Sequence, residues 1–192
     1  MSRPASAVRA PKASPGGSEP IFFDTNVLVY AYASRDARRR RALDVVEQAM
    51  QAHRFVISAQ VMQEFYDVVV RRRFLSPDIA IGVLRLLAEY PVVTANADSV
   101  LRALALQQRY RISVWDALVV QSALDANCAT LFSEDLQDGQ RFAGVDESAP
   151  ALTVINPFAP GLPQSGPSVH EPQRSYAVAL HQAKSAPRRS RP

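Results

Sequence analysis

Asp24, Glu64, Asp116 and Asp135 are four acidic residues whose settings in this 192-residue chain suit them to act as one chemical group. Asp24 ends the apolar run Ile21-Phe22-Phe23, and Asp135 follows the run Ala129-Thr130-Leu131-Phe132. Glu64 borders the helical stripe Val61, Met62, Phe65, Val68 and Val69, while Asp116 falls in the first turn of an apolar helix and shares a face with Val119, Val120 and Ala123. A carboxylate in such company is paired, protonated or holding a cation, because an isolated buried charge is costly. Two unit charges at about 4 Å repel by about 4 kcal/mol even at an effective dielectric near 20, so four that converge call for a positive ion. Hard oxygen ligands select Mg²⁺ or Mn²⁺ over zinc. Such an ion activates a bound water, orients it for in-line attack and neutralises the charge that develops on a phosphate, and two ions can divide those tasks. An acidic cluster without histidine or cysteine therefore points to phosphodiester hydrolysis.

Each acid also has a local alternative. Asp24 or Asp135 could cap a following helix, Glu64 could pair with an arginine, and Ser113 with Asp116 three residues on has the spacing of a capping box. Other chemistries find less support. The single cysteine, Cys128, excludes an internal disulfide framework and a thiolate zinc cluster, and favours a reducing, cytoplasmic setting. The sequence contains neither G-x-x-x-x-G-K-[ST] nor G-x-G-x-x-G, and His53, His170 and His181 lie away from the acids.

The elements that must position these residues follow from the apolar pattern. Ile21–Phe23, Phe55–Ser58, Pro91–Thr94, Ala129–Phe132 and Leu152–Ile155 read as short buried strands of a parallel sheet. Between them lie helices from Val27, from Asp36, over Ala59–Arg73, from Ser76-Pro77 to about residue 89, over Asn96–Tyr110 and from Trp115. In the helix over Asn96–Tyr110 the spacing of Val100, Leu101, Leu104 and Ala105 marks the inward face. The alternation implies an α/β, three-layer fold whose parallel sheet is flanked by helices. Ligands of such sheets gather beyond the carboxyl ends of the strands, where Asp24 and Asp135 stand and where Glu64 and Asp116 begin or border a helix.

The pI of 9.6 is a property of the ends. Residues 1–20 carry three Lys/Arg against one acid and residues 159–192 five against one, whereas residues 21–158 carry fourteen against sixteen. Eight of the fourteen prolines lie after residue 149. The expected organisation is a disordered leader over 1–20, a nuclease domain over 21–158 and a Pro/Ser/Arg-rich disordered tail over 159–192. No apolar run approaches the ~18–20 residues of a membrane span, so no membrane association is expected. The run Arg38–Arg41 is either a solvated helix face or a contact for backbone phosphates.

Taken in order, Asp24-Thr25-Asn26 after the first strand, Glu64 on the helix after the second, Trp115-Asp116-Ala117 opening a core helix, and Leu131-Phe132-Ser133-Glu134-Asp135 resemble the acidic pattern of PIN-domain ribonucleases. Within that family they are most similar to the VapC toxins of toxin–antitoxin modules. The resemblance implies a PIN-like, roughly five-stranded parallel sheet. It also implies Mg²⁺- or Mn²⁺-dependent endoribonuclease activity, a homodimer, an RNA substrate and a cognate antitoxin protein. On this pattern Asp24, Asp116 and Asp135 bind the principal metal, Glu64 ligates it or a second ion or orients the water, and Thr25, Asn26 and Ser133 hold the ligands by hydrogen bonds. Two alternatives go with it: a non-toxic RNA-processing PIN nuclease, and a catalytically silent PIN-like module that binds RNA or protein through Arg38–Arg41, Arg71–Arg73 and the basic ends.

Overall fold

A computed structural model describes residues 19–35, 37–143 and 151–160. The expected leader and tail lie outside these residues, apart from Glu19 and Pro20 at one end and Ala159 and Pro160 at the other.

The apolar runs become strands β1 (Ile21–Phe23), β2 (Phe55–Ser58), β3 (Val92–Val93), β4 (Thr130–Phe132) and β6 (Leu152–Ile155), and a further pair of residues, Arg141–Phe142, forms β5. The six strands make one sheet in the order β3-β2-β1-β4-β6-β5, parallel throughout except for β5. Strand β1 is central and buried on both faces, which explains its unbroken apolar sequence. Phe22 stands between Val56 on one side and Leu131 on the other, and the Phe23 ring stacks on Phe55 at 4.9 Å. The parallel five-stranded sheet thus matches the sequence reading, and β5 is an added antiparallel edge that reading lacked. Its two residues carry no alternating pattern, and they pair only because Gly139, at φ +76°, turns the chain back along β6.

Among the described residues six helices flank the sheet: α1 (Thr25–Tyr32), α2 (Arg38–Gln51), α3 (Ala59–Arg71), α4 (Pro77–Leu87), α5 (Ala97–Tyr110) and α6 (Val114–Asp125). They pack chiefly as the pairs α5–α6 and α1–α2, with α3 against both α1 and α4. Ser58, Ser76, Asn96 and Ser113 each cap a helix by accepting a hydrogen bond from a first-turn amide. Among the described residues no helix is long and apolar enough to cross a membrane.

The inward face of α5 differs from the sequence expectation. Ser99, Ala103 and Leu106 are buried, whereas Val100, Leu101, Leu104 and Ala105 are exposed, Leu101 by 66%. Polar contacts to α6 set this rotation. The Ser99 hydroxyl donates to Asp125 Oδ2 at 2.8 Å and Arg102 Nη2 donates to Asp125 Oδ1 at 2.9 Å, while small Ser99 and Ala103 let the helices approach closely. The bulkier aliphatic stripe is the stronger sequence signal, but a half-buried aspartate left unpaired costs more than exposed leucines.

His53, Arg73, Arg111 and Asn127 all have φ near +55° and follow or close the ends of α2, α3, α5 and α6. Glycine is the usual residue at such left-handed positions, because an L side chain pays about 1–2 kcal/mol there. Arg111→Gly is therefore expected to raise the urea midpoint by the equivalent of about 0.5–1 kcal/mol, and a fall in midpoint would contradict this account.

Candidate active site

The chain leaves β1 toward β2, then β3, and afterwards crosses back to place β4 on the other side of β1. The crevice between the ends of β1 and β4 is the point where a doubly wound sheet opens to a ligand. Asp24 directly follows β1, and its backbone N–H donates to Phe132 O of β4 at 3.0 Å, so the two strand ends are tied where the acids emerge. Asp24 is also the N-cap of α1, with Oδ1 accepting from Thr25 N at 2.7 Å. Its other oxygen, Oδ2, accepts from the Ser133 hydroxyl at 2.7 Å and from Asn26 Nδ2 at 3.2 Å.

Asn26 and Ser133 form the hinge of the site. Asn26 Nδ2 reaches Asp135 Oδ2 at 3.0 Å and Ser133 Oγ at 3.3 Å, and Ser133 Oγ accepts from Asp135 N at 3.2 Å. Thr25 turns its hydroxyl the other way and donates to Glu64 Oε2 at 2.8 Å. Three of the four expected acids, Asp24, Glu64 and Asp135, are thus linked through Thr25, Asn26 and Ser133. Asp116 is linked differently. Its Oδ2 accepts from the Ser113 hydroxyl at 2.7 Å and its N–H donates to Ser113 Oγ at 3.1 Å, so the local capping arrangement is real. It nevertheless lines the same cleft, of about 450 Å³, as Asp24, Glu64 and Asp135.

Burial separates these acids more than the sequence suggested. Asp24 is 8% exposed and Asp116 half-buried, whereas Asp135 is exposed in the bend past β4 and Glu64 is exposed on the cleft side of α3 and does not face the core. The α3 core stripe is narrower than its apolar spacing, with Val61, Phe65 and Val69 buried and Val68 lining the cleft. Asp24 carries the electrostatic cost. Its pKa is pushed up from the ordinary 3.8 to about 6, first by desolvation, with Asp135 and Glu64 adding like-charge repulsion against the lowering hydrogen bonds from Ser133 and Thr25.

Glu134, Tyr30 and Arg38 belong to this region and were not singled out as site residues from the sequence. Glu134 Oε1 accepts from Tyr30 OH at 2.6 Å, and Oε2 pairs with Arg38 Nη1 at 2.8 Å. The Arg38 guanidinium lies 4.1 Å from the Tyr30 ring centroid, and Phe158 meets Tyr30 edge-on at 5.1 Å. The arginine run marks α2 as basic, and the fold turns Arg38 of that run to the Glu134 carboxylate.

The donor set is oxygen only, which suits Mg²⁺ or Mn²⁺. As the side chains stand, no three Asp, Glu, His or Cys among the described residues form a ready group of metal ligands. Each acid is instead turned to a neutral donor, Thr25, Asn26, Ser113 or Ser133. Asp24, Glu64, Asp116 and Asp135 line one cleft and would be the residues to hold such an ion there.

Comparison with known proteins adds the family. The PIN domain family model matches residues 21–145. A comparison with curated proteins gives no match. Among solved structures, VapC20 of Mycobacterium tuberculosis, a Sarcin-Ricin loop cleaving toxin, is similar with 21% identity over 60% of this chain and 91% of its own, at a TM-score of 0.49. A toxin–antitoxin complex from Klebsiella pneumoniae is similar with 21% identity over 72% of this chain and 98% of its own, also at a TM-score of 0.49. With the family's model covering 125 of the 192 residues, the chain belongs to the PIN domain family.

Proposed function

We propose that this PIN domain is a Mg²⁺- or Mn²⁺-dependent endoribonuclease and serves as the toxin of a VapBC-type module. The observation that carries the nuclease reading is Asp24, a buried carboxylate set between two further acids at the sheet's switch point, with Asp116 across the same cleft. A fold pays for such an arrangement only where the acids meet a positive charge.

In this reading Asp24, Asp116 and Asp135 hold the principal ion, and Glu64 ligates it or a second ion or orients the attacking water. The bound ion supplies Lewis-acid stabilisation of the phosphate and a water of lowered pKa. The chain's own part is positional. Thr25 N and Ser133 Oγ fix both oxygens of Asp24, Asn26 couples Asp24 to Asp135, and the Thr25 hydroxyl holds Glu64 beside them. Substrate recognition, antitoxin binding, homodimerisation and a cytoplasmic setting go with the toxin reading, which rests on the likeness of the acidic pattern to that of the VapC toxins. The silent-module reading gives no reason for a carboxylate as buried as Asp24 beside two further acids.

The test is incubation of the full chain with total RNA, with and without Mn²⁺ or Mg²⁺, followed by sequencing of the fragment ends. Defined internal ends that appear only with the cation are expected. Intact RNA under every condition would overturn the nuclease reading. Induced expression should arrest growth, and unimpeded growth alongside cleavage in vitro would leave an RNA-processing enzyme.

A further inference from the structure

We propose that Trp115 and Phe74 form a subsite on which a nucleobase flanking the scissile phosphate stacks. This rests on the nuclease reading above and names the residues of this chain through which the cleft holds its RNA.

Trp115 is the chain's single tryptophan and is 65% exposed, although it sits next to Asp116 in the first turn of α6. Isolated exposed apolar residues are ordinary. Trp115 is not isolated: it lines the acidic cleft together with Phe74, itself 46% exposed. The two aromatics come from different elements. The backbone beneath the indole is held by Gln60 Nε2, which donates to Trp115 O at 3.3 Å, and by the Ser113 cap, so the ring is carried on a rigid element. Phe74 is delivered by the left-handed turn at Arg73 that ends α3, where Phe74 N donates back to Val69 O at 2.9 Å.

Charge fixes the direction of the occupant. Of the residues that line the cleft, Arg72 alone is Lys or Arg, and it comes from the same corner as Phe74. An RNA strand entering with one phosphate at the carboxylates places a flanking phosphate toward Arg72, and the base between them meets the aromatic wall. A paired base is covered by its neighbours in a helix and cannot offer its face, whereas an unstacked base can lie on an aromatic ring. Base–aromatic stacking is worth about 1–3 kcal/mol, roughly a 5- to 150-fold effect on binding, and tolerates any base.

Because Trp115 is the only tryptophan, its fluorescence reads the subsite directly. Full-length Asp24→Asn protein titrated with a short single-stranded oligoribonucleotide should show saturable quenching, with little quenching by the same sequence as a perfect duplex. A single abasic position, scanned along the strand, should weaken quenching at one register. In cleavage assays Trp115→Ala should raise KM about tenfold or more with kcat within a few-fold, Phe74→Ala should act in the same direction, and Trp115→Phe should restore most of the loss. Unchanged KM in Trp115→Ala, or equal quenching by duplex and single strand, would overturn the proposal. So would emission that answers a leucine-rich amphipathic peptide and no oligoribonucleotide, which would assign the surface to a protein partner. The two readings fail separately: cleavage untouched by Trp115→Ala removes the subsite and keeps the nuclease, while single-strand quenching without cation-dependent cleavage by the wild type removes the nuclease and keeps the subsite.

Discussion

Asp24→Asn is expected to lower cation-dependent RNA cleavage by about a thousandfold or more while the protein stays folded. The substitution keeps the size of the side chain and removes its charge. An asparagine oxygen can still accept from Thr25 N, which preserves the cap of α1, but the amide cannot act as an anionic ligand at the centre of the site. Its NH₂ group would also face Asn26 Nδ2, which now donates to Asp24 Oδ2 at 3.2 Å. Ser133→Ala should be milder, about 10- to 100-fold, because it loosens the ligand without removing it. Asp67 provides the control. It lies on the solvent side of the helix that bears Glu64, paired with Arg71, and Asp67→Asn should leave cleavage within about twofold, as expected of an exposed pair. Cleavage kinetics with matched circular dichroism decide the matter. Near wild-type turnover by Asp24→Asn would sink the metal-site reading, and equal losses in Asp24→Asn and Asp67→Asn would show that charge in general, and no particular site, is being measured.

How much of this could be read beforehand depends on whether the signal was local. Strands β1 and β2 were legible because a parallel strand buried on both faces is a plain apolar run, and β4 and β6 because each keeps an apolar residue even at a half-buried position. The β1 run also marked Asp24 as a carboxylate where none is cheap, whereas Asp135 past β4 is exposed. Asp116 was legible through its Ser113 spacing and its apolar helix. Glu64 was placed on the right helix but on the wrong side of the core boundary, because Met62 and Val68 widened the apparent stripe while lying only partly buried. The rotation of α5 was illegible for a deeper reason: Ser99 and Arg102 face inward to meet Asp125 of α6, and a partner 23 to 26 residues away leaves no mark on the helix's own periodicity. The Tyr30–Glu134–Arg38 contacts join α1, the end of β4 and α2 across about a hundred residues, and nothing within the run Arg38–Arg41 distinguishes the arginine that makes them. The two-residue strand β5 exists only by pairing with β6.

The contribution of Asp24 to the stability of the metal-free protein should fall as pH rises from about 4 to about 7, and Asp24→Asn should abolish that fall. In the folded chain Asp24 binds its proton more tightly than in the unfolded chain, since burial raises its pKa from the ordinary 3.8 to about 6. A raised folded-state pKa favours the folded protein fully below 3.8, and the contribution disappears as pH passes through about 6. The difference corresponds to about 3 kcal/mol for this group, a large share of the 5–15 kcal/mol typical of a domain. The variant has no proton to lose at this position, so its advantage over the wild type should be complete above about pH 7 and vanish below about pH 4, as a gap of several degrees in Tm at the higher pH. Other groups titrate in both proteins and cancel in the comparison. Parallel pH–Tm curves for the two proteins would contradict the assigned burial cost. Mn²⁺ should act in the opposite sense on the wild type, because a ligand must shed its proton to bind the ion: stabilisation by a fixed Mn²⁺ concentration should grow from pH 5 to pH 7.5 and be much smaller in Asp24→Asn. The same buried carboxylate that weakens the free fold near neutral pH is thereby the one through which a cation would restore it.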